Sequence, residues 1–255
     1  LFQKFMIKNL IIPMAGLGKR FKNENFSTIK PLITIDKNSI FEESIKDLPD
    51  SKNIIAIFNK NIFEKYSILK KILKKNKIKS LNLNKNTLGQ SDTCYKAKKI
   101  INPNEDLFIH SCDYVMKYSY KKFKKIATSC DVIIFTFKLK SSIVKDYNDF
   151  AYCKEKNGKV SNISEKKIIS NNPQLDQMAI GTFWFRKASD FFEMHEKSIE
   201  KKNYINKELY VANNINILIK KKKKVKIFEV NHWKNLGDYF SYKQYIYWKN
   251  FFLKN

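Results

Sequence analysis

Five short apolar runs, at residues 10–14, 53–58, 79–83, 106–110 and 132–138, alternate with segments whose apolar residues recur at helical spacing. A strand repeats its faces every 2 residues and a helix every 3.6, so alternating patterns require alternating elements. Residues 61–77 carry the helical pattern most clearly, with Ile62, Tyr66, Leu69 and Leu73 on one face. Further helices are expected at 41–48, at 92–101 with Ser91 or Asp92 as cap, and at 120–129. This order predicts an α/β chain built on a doubly wound, mostly parallel sheet. Such sheets bind ligands beyond the carboxyl ends of their strands. The loops after Met14, Leu83 and His110 are therefore expected to carry the chemistry.

The second half has a different pattern. Residues 150–155 and 160–165 flank Asn157-Gly158, the strongest short hairpin signal. A strand is expected at 179–185, helices at 187–201 and 206–221, a strand at 225–230, a loop at 233–238 and an aromatic-rich closing helix at 240–255. No Pro- or Gly-rich linker divides the halves. The expectation is one domain over residues 6–255, with a first lobe at about 6–138 and a smaller, β-containing lobe at about 139–255. Residues 1–5, ahead of Met6, read as an appended remnant.

The formal charge of +26 invites a nucleic-acid reading. Lysine supplies nearly all of it, spread along the chain among abundant Asn and Ile. These three residues share A/T-rich codons, so base composition accounts for them without a partner. Arginine, the side chain best suited to bidentate phosphate and base contacts, occurs only at Arg20 and Arg186. No nucleic-acid partner is expected, although the charge should draw in anionic substrates. The run at 220–224 reads as a solvated, lysine-rich helix end. Cys94, Cys112, Cys130 and Cys153 form no CxxC pair and read as reduced thiols. With no signal segment and no run of about 18 apolar residues, a soluble, cytoplasmic protein without a membrane partner is expected. A homodimer is compatible with the sequence, though no residue marks its interface.

Chemistry-bearing residues fall at the expected strand ends. Met14-Ala15-Gly16-Leu17-Gly18-Lys19-Arg20 follows the first strand, with Lys30-Pro31 ten residues further on. Glycines let backbone N–H groups approach phosphate oxygens, and Lys19, Arg20 and Lys30 would neutralise a triphosphate. The loop lacks the G-K-[ST] ending of a Walker A motif and the third glycine of a dinucleotide fingerprint.

On these residues the sequence resembles the nucleoside-triphosphate transferases that make sugar nucleotides and related activated compounds. Their opening reads roughly A-G-G-x-G-[ST]-R, then K-P. Gly16, Gly18, Arg20, Lys30 and Pro31 match, whereas Ala15 and Lys19 depart. The resemblance extends along the chain and implies a nucleotide-binding first lobe and an acceptor-binding second lobe. It implies that residues 14–20 and Lys30 hold the triphosphate, and that Gly89 and Ser91 of Leu88-Gly89-Gln90-Ser91 face the base. Asp113 matches the acidic residue that binds Mg²⁺. Glu165 and Lys166 match an E-K segment facing the acceptor, together with Gly181. This segment most resembles a branch tied to capsular polysaccharide synthesis.

In Trp233-Lys234-Asn235-Leu236-Gly237-Asp238, most relatives read W-x-D-x-G-T. Asn235 is expected as the second metal ligand, with Asp238 as its rival; an amide carbonyl is an acceptable oxygen ligand. His110 reads as structural, because the implied reaction needs no imidazole.

The resemblance thus implies Mg²⁺-dependent transfer of a nucleotidyl group to a phosphorylated acceptor, with Arg20, Lys30, Asp113 and Lys166 as catalytic residues. CTP is the favoured donor. UTP or dTTP comes next, and the expected acceptor is a sugar phosphate, phosphocholine, glycerol phosphate or another phosphorylated metabolite, phosphoglutamine among them. Two alternatives stay open. A GT-A glycosyltransferase would normally show D-x-D where this chain has Ser111-Cys112-Asp113. A nucleic-acid binder would show steep salt dependence on unrelated DNA or RNA.

Overall fold

The structure, a computed structural model, describes residues 6–16, 28–35, 37–140 and 144–254. Its strands are β1 (Ile7–Pro13), β2 (Thr34–Ile35), β3 (Asn38–Ser39), β4 (Ser51–Asn59), β5 (Lys79–Leu83), β6 (Leu107–Ile109), β7 (Tyr114–Lys117), β8 (Val132–Phe137), β9 (Ala151–Lys156), β10 (Lys159–Glu165), β11 (Gln177–Phe185), β12 (Val225–Glu229) and β13 (His232–Asn235). The α-helices are α1 (Ile40–Ile45), α2 (Lys60–Lys65), α3 (Ser67–Lys75), α4 (Gln90–Tyr95), α5 (Tyr120–Ala127), α6 (Ala188–Glu200), α7 (Val211–Lys220) and α8 (Tyr239–Lys254).

The architecture is the expected α/β one, with a mostly parallel central sheet. Strands β5, β4, β1 and β6 lie side by side and parallel. From β1 the chain steps outward to β4 and β5, then returns to β6 on the other side, so the order reverses beside β1. Antiparallel β11 joins β6 to β8, and β12 runs parallel to β8. The first residues of β11 pair with β9 of the β9–β10 hairpin. One sheet therefore runs from the first half of the chain into the second.

Both faces of this sheet are covered. Val132 and Ile134 of β8 face Phe183, Phe185, Phe191 and Val211, whereas Ile133 and Phe135 face Phe108, Phe123 and Trp184. Burial on both sides explains why β8 is apolar throughout rather than alternating. The hairpin turns where expected, with Asn157 at φ 53° and Gly158 at φ 69°. Among the described residues no helix is long and apolar enough to cross a membrane.

Four local expectations change. The helix expected at 61–77 is two helices, broken at Tyr66, whose backbone is extended (φ −114°, ψ 91°). Phe63, Tyr66, Leu69 and Leu73 all reach one core across the break, so the apolar period hides it. The helix expected from 206 starts at Val211, because Asn206 (φ 48°) and Lys207 (φ 65°) form a tight turn closed by bonds between Ile205 and Glu208. Helix α4 is entered through Gly89 without a side-chain cap; the Asp92 carboxylate instead accepts from the Leu88 N–H at 2.9 Å and pairs with Lys96 at 2.7 Å. The loop expected at 233–238 begins as β13, which pairs antiparallel with β7.

Arg186 is structural. Its guanidinium donates to the carbonyls of Ala127 (2.5 Å) and Cys130 (2.7 and 2.9 Å), closing the end of α5, and lies over the Trp184 ring. An ammonium cannot span both carbonyls from one plane. Arg186→Lys should lower unfolding free energy by about 1–3 kcal/mol in urea melts.

Candidate active site

A cavity of about 960 Å³ opens where β1, β4, β5 and β6 end. Met14, Ala15 and Gly16 line it after β1, Thr87 to Gln90 after β5, and Ser111 to Asp113 after β6. This is the position that the reversal of strand order beside β1 leads one to expect. Leu17, Gly18, Lys19 and Arg20 lie outside the described residues.

The most organised corner is built by two strands that the sequence pattern does not announce. β7 and β13 pair with Tyr114 opposite Asn235, and the Leu236 N–H donates to the Asp113 carbonyl at 2.9 Å. Asp113 and Asn235 are thereby brought together from opposite halves of the chain. The Lys30 ammonium, at the start of a short 3₁₀ turn after Ile29, donates to Asp113 Oδ2 at 2.6 Å. Asn235 Oδ1 accepts from the Gly237 N–H at 2.9 Å. A Cβ on Gly237 would lie 2.6 Å from Asp113 Oδ2 and 3.0 Å from Asn235 Oδ1. Both oxygens thus lie within 3.0 Å of one point, which only glycine leaves open.

That cradle fits a hard divalent cation. It offers one carboxylate and one amide carbonyl beside an open cavity, and Mg²⁺ takes few protein ligands, completing its shell with water and substrate phosphate. Among the described residues, no group of three or more His, Cys, Asp or Glu side chains gathers to hold a metal. A cation at Asp113 and Asn235 would take its remaining ligands from water or from substrate.

Asp238 does not line the cavity. Its Oδ1 accepts from the Ser241 N–H at 2.9 Å, capping α8, while its Oδ2 accepts from Ser241 Oγ at 2.9 Å and Asn235 Nδ2 at 2.6 Å.

Gly89 lines the cavity at φ 105°, and a Cβ there would meet the Leu209 backbone at 3.0 Å. The loop is clamped by Leu209, whose N–H donates to the Leu88 carbonyl at 2.6 Å and whose carbonyl accepts from the Ser91 N–H at 3.0 Å. Ser91, expected at the base, instead points into the interior. It is fully buried, and its Oγ meets His195 Nδ1 and Asn214 Nδ2 at 3.0 Å. The neighbouring Gln90 does face the cavity, donating to Ser111 Oγ at 3.1 Å and the Gly181 carbonyl at 3.4 Å. Gln90 was missed because its side chain acts across the sheet, which no local pattern reveals.

Glu165, Lys166 and Gly181 all line the cavity. Gly181 (φ 87°) sits in the irregularity of β11 between Ala179 and Phe183, where a Cβ would lie 3.1 Å from Ser111 Oγ. Lys166 (φ 57°) turns back to donate to the Asp149 carbonyl at 2.5 Å, and its ammonium lies over the Tyr210 ring. Burial pushes the Glu165 carboxyl up to about 7; Lys166 opposes this and Glu208 adds to it. Asp149 and Glu208 also line this end, beside the Phe150, Trp233 and Tyr210 rings.

His110 is structural, as expected. It is fully buried, with Nδ1 against Thr182 Oγ1 at 2.9 Å and Nε2 against the Ser44 carbonyl at 3.0 Å. Burial holds it neutral, with a pKa lowered to about 4.

The sequence matches no protein-family model and no curated protein. Solved structures do match the fold over nearly the whole chain. A nucleoside-diphosphate-sugar pyrophosphorylase from Vibrio cholerae superposes with TM-score 0.75 at 17% identity, covering 93% of this chain and 99% of its own. The inositol-1-phosphate CTP transferase from T. maritima gives TM-score 0.70 at 12% identity, covering 93% and 92%. A UTP-bound UGPase from Acinetobacter baumannii gives 0.67 at 16%, covering 94% and 92%. At these identities the likeness establishes the fold these proteins share with this chain.

The Glu165 shift carries a pH signature. Between the ordinary value of 4.5 and about 7, the folded chain holds a proton that the unfolded chain has lost. Stability contributed at this position therefore falls as pH rises through that window. Glu165→Gln should flatten the decline in melting temperature between pH 5 and 7.5, measured by thermal denaturation.

Proposed function

We propose that this chain is a Mg²⁺-dependent nucleotidyltransferase that joins the nucleotidyl group of a nucleoside triphosphate to a phosphorylated small molecule and releases pyrophosphate. The observation that carries this reading is the convergence of Lys30, Asp113 and Asn235 over Gly237, at the strand ends of a nucleotide-binding type of sheet. The fold shared with a pyrophosphorylase and with a CTP transferase supports it.

An acceptor phosphate oxygen would attack the α-phosphorus in line, and the bond to the leaving pyrophosphate would break. The acceptor is already anionic near neutral pH, so the site needs no general base. What remains is positioning and charge neutralisation. Backbone around Met14, Ala15 and Gly16 would approach the phosphates, and Lys30 would leave Asp113 to neutralise them. The same role is proposed for Leu17, Gly18, Lys19 and Arg20. Gly89 would present backbone to the base. Mg²⁺ held by Asp113 and Asn235 would supply Lewis-acid neutralisation of phosphate oxygens. Lys166, on the opposite wall, would meet the acceptor phosphate.

CTP is the proposed donor, from the resemblance to the capsule-associated branch; surface-polysaccharide precursor synthesis is the corresponding role. For the acceptor, three carboxylates (Asp149, Glu165 and Glu208) beside the rings of Phe150, Trp233 and Tyr210 favour a phosphorylated compound that also bears an amino or quaternary ammonium group. Phosphocholine and phosphoglutamine have that chemistry; a simple sugar phosphate or glycerol phosphate does not.

The test is pyrophosphate release from each common nucleoside triphosphate with a panel of phosphorylated acceptors and Mg²⁺. One pair should turn over, and Asp113→Ala and Gly237→Ala should each reduce kcat/KM by at least about 100-fold, a transition-state cost near 2.7 kcal/mol. Glycosyl transfer without pyrophosphate would overturn the reading. With the active amino-bearing acceptor, KM should rise as pH falls below 7 and Glu165 gains a proton. A flat KM across pH 6–8 would remove Glu165 from acceptor recognition.

A further inference from the structure

We infer that Asp238 is a positioning residue for the cation site, and that Asn235 and Asp238 act together as one charged ligand unit whose carboxylate sits one hydrogen bond behind the liganding oxygen. This deepens the proposed function and rests on its assignment of Asp113 and Asn235 to a divalent cation.

An asparagine amide has two chemically opposite ends, and only the carbonyl end can hold a cation. Free to rotate, it would present the wrong end half the time. Here the orientation is fixed from behind. Asn235 Nδ2 donates to Asp238 Oδ2 at 2.6 Å and to Ser241 Oγ at 3.1 Å. Ser241 Oγ donates to the same Asp238 Oδ2 at 2.9 Å, so the three side chains close a triangle. With Nδ2 held there, Oδ1 points at the Gly237 cradle that it shares with Asp113.

The carboxylate does more than orient. An amide N–H donating to an anion draws electron density toward its carbonyl oxygen, because the two ends are conjugated. A charge-assisted bond of this kind is stronger than a neutral one. Oδ1 thus gains part of the anionic character that a direct carboxylate ligand would have. Partners behind a first ligand typically alter metal affinity by about 10–100-fold.

Asp238 also caps α8, with its Oδ1 on the Ser241 N–H at 2.9 Å. The two roles separate by substitution. Thr at 238 keeps a capping oxygen but removes the carboxylate. Asp at 235 would instead put an oxygen against Asp238 Oδ2, where the amide now donates, setting two anions in hydrogen-bond contact.

The experiment titrates Mn²⁺ alone into the full chain, reading free Mn²⁺ by electron paramagnetic resonance, with thermal melts as a folding control. Asp113→Ala should abolish the site. Asp238→Thr should weaken Mn²⁺ binding about tenfold or more while the melting temperature stays within a few degrees. Asn235→Asp alone should also weaken it. The double variant N235D/D238T, with one carboxylate restored at the front, should recover wild-type affinity. Asp238→Asn should fall between wild type and Asp238→Thr, because it can keep the hydrogen bond without the charge. Unchanged Mn²⁺ affinity in Asp238→Thr, or tighter binding in Asn235→Asp alone, would overturn the inference while leaving the cation site standing. Mn²⁺ binding insensitive to Asp113→Ala would remove the cation site itself, and the inference with it.

Discussion

The short antiparallel pairing of Tyr114–Lys117 with His232–Asn235 is the contact on which the candidate site depends. It carries only four residue pairs, yet it sets Asp113 beside Asn235 and leaves Gly237 between them. The large sheet can form without it, since β6, β8, β11 and β12 are joined by their own ladders. The sheet supplies rigidity and a place for ligands at its strand ends. The small ribbon supplies the meeting of the two halves. Behind the ribbon, Leu236 is fully buried with Ile33, Ile35 and Ile40, so the segment around Lys30 and the entry to α8 share one small core.

Charge in this molecule follows the same division between scaffold and site. The excess of +26 comes from lysines spread along the whole chain, and only some of the described ones are ion-paired locally, as with Lys221 and Lys197 at Glu193. Surface pairs of this sort contribute little individually. The cavity is organised otherwise. A carboxylate holds one lysine at 2.6 Å where phosphate is proposed to arrive, and a half-buried glutamate with a raised pKa stands at the far wall. Arg186 belongs wholly to the scaffold, spanning carbonyls at the end of α5.

The sheet was legible in the sequence because its strands are buried on both faces, and burial on both faces leaves a continuous apolar run between helical patterns. The Asn157-Gly158 turn was legible because its left-handed backbone restricts residue choice. What escaped notice was short or non-local. β7 and β13 are too brief for a periodic signal, and the break at Tyr66 preserves the apolar spacing. The left-handed pair Asn206 and Lys207 carries no glycine to announce it. In the site, Lys30, Asp113, Gly89, Glu165, Lys166, Gly181 and Asn235 all line the cavity. Ser91 and Asp238 do not, because whether a hydroxyl turns inward or a carboxylate caps a helix depends on partners distant in sequence or on chain geometry.

The cradle over Gly237 has a consequence for how the molecule comes into being. Synthesis delivers the parallel strands and the glycine-containing loop first, and local contacts can organise as they emerge. Asn235 follows late, and its register opposite Tyr114 closes a long excursion of chain, an entropically slow kind of contact. A nascent chain that already displays much of its sheet still lacks one side of the cradle. The candidate site is thus completed only once residues 232–237 have emerged and paired with Tyr114–Lys117, well after the first strands of the sheet.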